Sequence, residues 1–118
     1  MGELVWGIKN GDLDQVRDIF ENKNINVNKM IDNRTPLHYA ADYGQKEVVR
    51  YLLDKGADIH AKDKHGITVI LAAIWEGHTD VVKLLLENGA DPNGETPDGQ
   101  KYLDVAEKDE IKELLKSH

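Results

Sequence analysis

The sequence predicts an all-α solenoid built from repeated pairs of short helices, and three observations lead to that prediction. Residues 35–67 and 68–100 both begin with Thr and share Ala, Gly, Val-Val, Leu-Leu and Gly-Ala-Asp at the same offsets. Gly11, Gly44 and Gly77 recur at the same period of 33 residues. Apolar residues within each unit follow helical spacing. One such unit cannot bury its apolar face alone, so the core must form between stacked units.

The first helix of a complete unit is predicted to begin after Thr35. The Thr35 hydroxyl can cap the helix, and Pro36 suits the first helical position because a proline needs no hydrogen-bond acceptor there. Leu37 and Ala40 then follow helical spacing, and the small alanine permits close helix packing. Gly44 is expected to end this helix with a positive φ.

The second helix is predicted over residues 46–55. Its apolar stripe includes Val49 and Leu52, and its charged residues are left for solvent. Gly56 ends it, and an extended finger follows. His65-Gly66 turns the finger back in this unit, and Asp98-Gly99 does so in the next.

The period divides the chain into four units within one domain of residues 1–118. The complete units, 35–67 and 68–100, lie between two imperfect copies, 2–34 and 101–118. Both imperfect copies carry extra polar residues, which suits an N-terminal and a C-terminal cap. In the first copy we expect Trp6 to fill the end of the core, and the alternative is that it contacts a partner directly.

Composition limits the possible partners and locations. The formal charge of −7 repels phosphate backbones, so nucleic acid is not expected as a ligand. No apolar run is long enough for a signal peptide or a membrane span, and cysteine is absent. We therefore expect a monomer without a membrane contact, in the cytoplasm and also in the nucleus.

No residue pattern in the chain predicts catalysis, a cofactor or a metal. The only serine is Ser117, and the threonines that begin the units are assigned to helix capping. His38 and His78 occupy repeat positions that favour hydrogen bonds between units. His60 and His65 share a finger but lack a partner carboxylate at metal-binding spacing. Residues 91–99 resemble a calcium loop, but Thr96 stands where that loop needs glycine.

Two groups of residues are candidates for partner binding, because the repeat does not determine them. One group is the pair before each turn glycine: Lys9 and Asn10, Asp42 and Tyr43, Trp75 and Glu76. The other is the finger tips, residues 30–34 and 62–65, among them Met30, Ile31, Asp32, Asp63, Lys64 and His65. Tyr43 and Trp75 lead because aromatic side chains dominate interface energetics. The alternative is that each ring packs on its own helix. Met30 and Ile31 are expected to be exposed at the finger tip. Exposed apolar side chains there would be unusual unless they pack on a neighbouring residue or bind a partner.

The period of 33 and the stretch TPLHYAA resemble the ankyrin-repeat family. Within it, WGIKNGDLDQV, DKHGIT, WEGH and the final PDG resemble the myotrophin family, from Trp6 to about Leu115. The first finger, 26–34, and Val69-Ile70 depart from that family's pattern.

The resemblance implies a function without catalysis. It implies a cytosolic, also nuclear, protein that binds the actin capping protein heterodimer and covers its basic barbed-end-binding surface. A weaker implication is binding to NF-κB proteins. The alternatives are an adaptor for another protein such as a transcription factor, and a designed or consensus ankyrin scaffold.

Overall fold

A computed structural model describes residues 2–118 and shows four helix pairs in chain order. The helices are α1 (Gly2–Lys9), α2 (Leu13–Lys23), α3 (Pro36–Asp42), α4 (Lys46–Asp54), α5 (Val69–Trp75), α6 (Thr79–Glu87), α7 (Tyr102–Val105) and α8 (Asp109–Ser117). Over these residues, extended pairing is limited to three isolated bridges in the fingers. The predicted all-α repeat solenoid is therefore confirmed. The helix pairing agrees with the four units, and the roles of the first and fourth as caps stay predictions.

Helix boundaries follow the predicted capping chemistry. The Thr35 hydroxyl accepts a hydrogen bond from the His38 amide at 3.2 Å, and Thr68 does the same for Leu71 at 3.3 Å. Gly44 follows α3 with a φ of +68°, which is the left-handed conformation expected of it. Helix α4 ends at Asp54, one residue before the predicted end.

The helices form two layers. The first helices of the units, α1, α3, α5 and α7, contact one another in succession, and the second helices form the other layer. Side chains such as Val49, Leu52 and Leu85 are fully buried between the layers. Burying each such side chain stabilises the fold by about 1.5–3 kcal/mol. The stack is elongated, with extents of 41 × 24 × 21 Å.

Polar side chains at or just before the starts of the second helices bind carbonyls of the preceding unit. Gln45 Nε2 donates to the Lys9 carbonyl at 2.8 Å, and His78 Nε2 donates to the Asp42 carbonyl at 2.9 Å. Lys108 Nζ donates to the Gly77 carbonyl at 2.7 Å. These bonds satisfy carbonyls at the ends of the first helices and hold successive units in register. The predicted role of His78 between units is confirmed.

His38 on α3 is hydrogen-bonded to the finger of its own unit. Its Nε2 lies 2.8 Å from the Ile67 carbonyl, and its Nδ1 lies 2.7 Å from the Thr35 hydroxyl. Because a carbonyl only accepts, Nε2 carries the proton and Nδ1 accepts from Thr35. The imidazole is completely buried, and this burial lowers its pKa below the ordinary value. The prediction that His38 bonds between units is wrong: both of its ring nitrogens bond within residues 35–67, so its structural role lies inside one unit.

No helix within residues 2–118 has both the length and the apolar character that a membrane crossing requires.

Candidate protein-binding surface

The aromatic side chains before two turn glycines are exposed. Tyr43 at the end of α3 is 43% exposed, and Trp75 at the end of α5 is 45% exposed. Neighbouring side chains of the same helices, such as Ala41 and Ile74, are buried and leave these rings at the surface. Both rings therefore remain available for a partner, and Glu76 beside Trp75 is exposed as well.

Trp6 adds a third exposed ring, and the expectation that it fills the end of the core is wrong. It is 54% exposed because the buried face of α1 is formed by Leu4, Gly7 and Ile8. Trp6 lines a shallow groove together with Lys9, Asp32 and the edge of the first finger. The spacing of Leu4 and Ile8 in the sequence was the signal that places Trp6 off the buried face. We call Trp6, Tyr43 and Trp75 the exposed aromatic set.

Lys9 connects the first two units at this surface. Its Nζ lies 5.3 Å from the centre of the Tyr43 ring, within range of a cation–π interaction. Asn10 beside it donates from Nδ2 to the Trp6 carbonyl at 2.8 Å. Lys9 therefore covers one side of Tyr43, whereas Asn10 helps to close the end of α1.

Arg34 ends the first finger tip, within the stretch predicted as a candidate binding surface, and it contacts α3. Its guanidinium carbon lies 4.8 Å from the centre of the Tyr39 ring, and Nη1 lies 3.7 Å from a carboxylate oxygen of Asp42. The Tyr39 hydroxyl in turn donates to the Ile31 carbonyl at 2.8 Å. Asp42 is thus already paired, which lowers the charge it can offer to a partner. Arg34 directly precedes the N-cap of α3, so its contacts with Tyr39 and Asp42 on that helix are local in sequence.

The finger tips divide into exposed and buried members. Met30 is 43% exposed, and the side chains of Asp32, Lys64 and His65 are exposed as predicted. The Lys64 amide donates to the Asn33 carbonyl at 3.0 Å, which joins the first two finger tips.

Two predicted finger-tip contacts are corrected. Ile31 is only 7% exposed and belongs to the hydrophobic core, because the left-handed turn at Asp32 and Asn33 directs it inward. Asp63 is only 9% exposed because its carboxylate accepts hydrogen bonds from the His65 amide at 2.8 Å and the Ile67 amide at 3.0 Å. In this conformation both residues shape the fingers and are not available to touch a partner.

The geometry of this surface is suited to noncovalent binding. Within the described part of the chain, no three metal-ligating side chains come together. Displaced pKa values occur at His38, Tyr51 and Tyr102, and burial is the largest cause of each displacement. Burial raises the pKa of both tyrosines and lowers that of the histidine, as expected for groups whose charged forms are disfavoured.

Comparison with known proteins establishes the family. A family model described as "Ankyrin repeats (3 copies)" matches residues 4–96. The chain belongs to the ankyrin-repeat family. Its members act as protein-interaction modules, which agrees with the exposed aromatic set.

Several characterised ankyrin-repeat proteins are similar to the chain. The "26S proteasome non-ATPase regulatory subunit 10" of Dictyostelium discoideum is 43% identical over 91 residues, which cover 75% of this chain and 39% of that protein. "Myotrophin" of Xenopus tropicalis is 54% identical over 57 residues, 48% of each chain. Human "Protein phosphatase 1 regulatory subunit 27" is 32% identical over 112 residues, 92% of this chain and 73% of that protein. The matches to the first two relatives span less than half of their lengths.

Proposed function

We propose that this ankyrin-repeat protein inhibits actin capping protein by covering its basic barbed-end-binding surface, without catalysis. The exposed aromatic set carries the proposal, because large exposed rings on a rigid stack are typical of a binding surface. The similarity to myotrophin over about half the chain supports the choice of partner. We place the protein in the cytoplasm and the nucleus, as a monomer.

The proposed contact residues lie on the first helices and the finger tips. They are Trp6, Lys9, Asn10, Asp42, Tyr43, Trp75 and Glu76 on the helices, and Met30, Asp32, Lys64 and His65 on the fingers. Trp75 is the leading contact because it is exposed and has an exposed carboxylate, Glu76, beside it. A basic partner side chain could stack on the ring and pair with that carboxylate.

The charge of the chain supports a basic partner. A formal charge of −7 on 118 residues raises the rate of encounter with a positive surface. This attraction is screened by salt, since the Debye length falls to about 8 Å at physiological ionic strength. We therefore expect association with capping protein to slow as salt rises, while the contribution of Trp75 remains.

A pyrene-actin assay tests the proposal. With capping protein added at a concentration that blocks elongation from barbed ends, the chain should restore elongation. Trp75→Ala should weaken binding by about 2 kcal/mol, or roughly thirtyfold in Kd. Arg50→Ala is the matched control because Arg50 is exposed on α4, in the other helix layer, where it pairs with Glu47 at 3.0 Å.

If the protein at micromolar concentration does not restore filament elongation, although the capping protein is shown to be active, the proposed partner is contradicted. Equal losses in Trp75→Ala and Arg50→Ala would contradict the proposed surface.

A second candidate function is that of a regulatory adaptor for another protein, such as an NF-κB-type transcription factor. The names of two relatives, each a regulatory subunit of a larger enzyme, favour it. Affinity capture from cell lysate with wild type and Trp75→Ala distinguishes the two functions. Recovery of a protein other than capping protein, lost in the variant, would favour the adaptor.

A further inference from the structure

The dipeptide Asn-Gly occurs three times, at residues 10–11, 88–89 and 93–94. Asparagine is a thermolabile residue, and it is most reactive before glycine because no side chain hinders attack by the following backbone nitrogen. The reaction requires a free asparagine side chain, a free glycine amide and a backbone that can rotate. The three sites differ in how far the fold meets these conditions.

Two of the three sites are restrained at the ends of helices. Asn10 Nδ2 donates to the Trp6 carbonyl at 2.8 Å, and the Gly11 amide donates to the Ile8 carbonyl at 3.1 Å. Asn88 Nδ2 donates to the Leu84 carbonyl at 2.8 Å, and the Gly89 amide is bonded in the same way at 3.2 Å. At both sites the attacking nitrogen and the attacked amide are held by hydrogen bonds, so local opening must precede reaction.

The third site lacks these restraints. Asn93 is exposed in the loop after α6, and within residues 2–118 its side chain makes no hydrogen bond. In the same part of the chain, the Gly94 amide makes no hydrogen bond of ordinary distance and angle. At the corresponding position of the preceding unit, the Ala61 amide donates to the Asp58 carbonyl at 3.2 Å.

We propose that Asn93 is a site of spontaneous deamidation whose selectivity is set by the fold. The Gly94 backbone nitrogen loses its proton and bonds to Cγ of Asn93; the Cγ–Nδ2 bond breaks and ammonia leaves, giving a cyclic imide. Water then adds to either imide carbonyl and opens the ring. The products are aspartate and isoaspartate at position 93, and no oxidant or reductant is needed.

Either product changes a surface close to the proposed binding fingers. Asn93 lines a groove between the second and third fingers with Lys62, and a new carboxylate there joins exposed Asp91 and Glu95. Isoaspartate also lengthens the backbone directly before Gly94. The Gly94 carbonyl accepts from the Tyr102 amide at 3.1 Å, so the added length acts on the contact that holds the fourth unit.

Peptide mapping of the whole chain, incubated at neutral to mildly alkaline pH, tests the proposal. Fragment ions must assign the site, because Asn88 and Asn93 share the tryptic peptide between Lys83 and Lys101. We expect position 93 to gain one mass unit at least about tenfold faster than positions 10 and 88. In denaturant the three rates should converge. Isoaspartyl methyltransferase should label the aged protein at position 93, and Asn93→Gln should abolish this labelling.

The outcomes are distinct. Reaction of Asn10 or Asn88 as fast as Asn93 in the folded chain, or an unchanged rate order in denaturant, would overturn the role of the fold. Asn93→Asp carries the charge without the longer backbone. The aged wild-type protein should have a lower melting temperature than Asn93→Asp. Equal melting temperatures would overturn the proposed effect on the fourth unit.

Discussion

The first helices of the two complete units have the same backbone but satisfy their capping threonines differently. In α3 the hydroxyl of Thr35 bonds to His38 of the same helix at 2.7 Å. In α5 the corresponding position is Leu71, and the hydroxyl of Thr68 instead bonds to the hydroxyl of Tyr102 in the next unit at 2.6 Å. Thr35 is buried and Thr68 is half-buried, and each hydroxyl finds a partner: Thr35 from its own helix and Thr68 from the neighbouring unit.

The bond between Thr68 and Tyr102 requires space for the Tyr102 ring, which the bond between Thr35 and His38 does not. Tyr102 lies one period after Val69, and Gly94 lies one period after Ala61. A Cβ at Gly94 would stand 2.6 Å from the Tyr102 ring, so the large ring and the missing side chain compensate for each other. Packing between the third and fourth units therefore depends on a pair of residues that differ together from the pair one unit earlier.

The largest expected effect comes from His38→Ala. This change removes two buried hydrogen bonds, leaves the Ile67 carbonyl with its bond from the Asp63 amide at 2.9 Å alone, and creates a cavity in the core. We expect a loss of about 3 kcal/mol in the free energy of unfolding, measured by urea denaturation. His65→Ala is the control because its imidazole is exposed on a finger. A His38→Ala loss no greater than that of His65→Ala would refute the structural role.

Gly94→Ala should have the next largest effect. The added methyl group forces Tyr102 away from Thr68, and overpacking of this kind costs about 2 kcal/mol. Thermal or urea unfolding measures the loss. In the double variant with Tyr102→Val, which copies the preceding unit, much of the stability should return. Equal destabilisation in the single and double variants would show that the two residues do not compensate.

The two complete units are also expected to differ in how pH affects their stability. The folded-state pKa of His38 is lowered by burial, so the unfolded chain takes up a proton first as the pH falls. The stability contributed by neutral His38 is fully present above the unfolded-state pKa of about 6.5 and is lost below it.

Urea unfolding at about pH 7.5 and about pH 5.5 should therefore show lower stability at the acidic value. His38→Gln keeps hydrogen-bonding atoms but does not titrate, so it should reduce this difference. A pH dependence unchanged in His38→Gln would assign the effect to other groups.

The sequence predicted the parts of the molecule that depend on local chemistry. Thr35 capping and the turn at Gly44 follow from residues a few positions apart, and the 33-residue period extends them to the next unit. The expected exposure of Ile31 was wrong because the left-handed turn at Asp32 and Asn33 directs its side chain inward, and no glycine marks that turn in the sequence. The bond between Thr68 and Tyr102 spans 34 residues and leaves no local signal.

The smallest predicted effect compares two tyrosine hydroxyls. Tyr102→Phe removes the partner of Thr68, and we expect a loss of about 1 kcal/mol in the free energy of unfolding. Tyr51 is the matched control: it is 8% exposed, and within residues 2–118 its hydroxyl makes no hydrogen bond. Tyr51→Phe should therefore be neutral or slightly stabilising, because it removes a buried polar atom that gains nothing in the fold.

A double-variant cycle with Thr68→Val isolates the bond between Thr68 and Tyr102 from other effects of each change. The coupling between Thr68→Val and Tyr102→Phe should account for most of the loss seen in Tyr102→Phe alone. No coupling would mean that the fourth unit is held by packing alone. The difference between α3 and α5 would then come from His38 alone. It would not come from the choice of partner for the capping threonine hydroxyl.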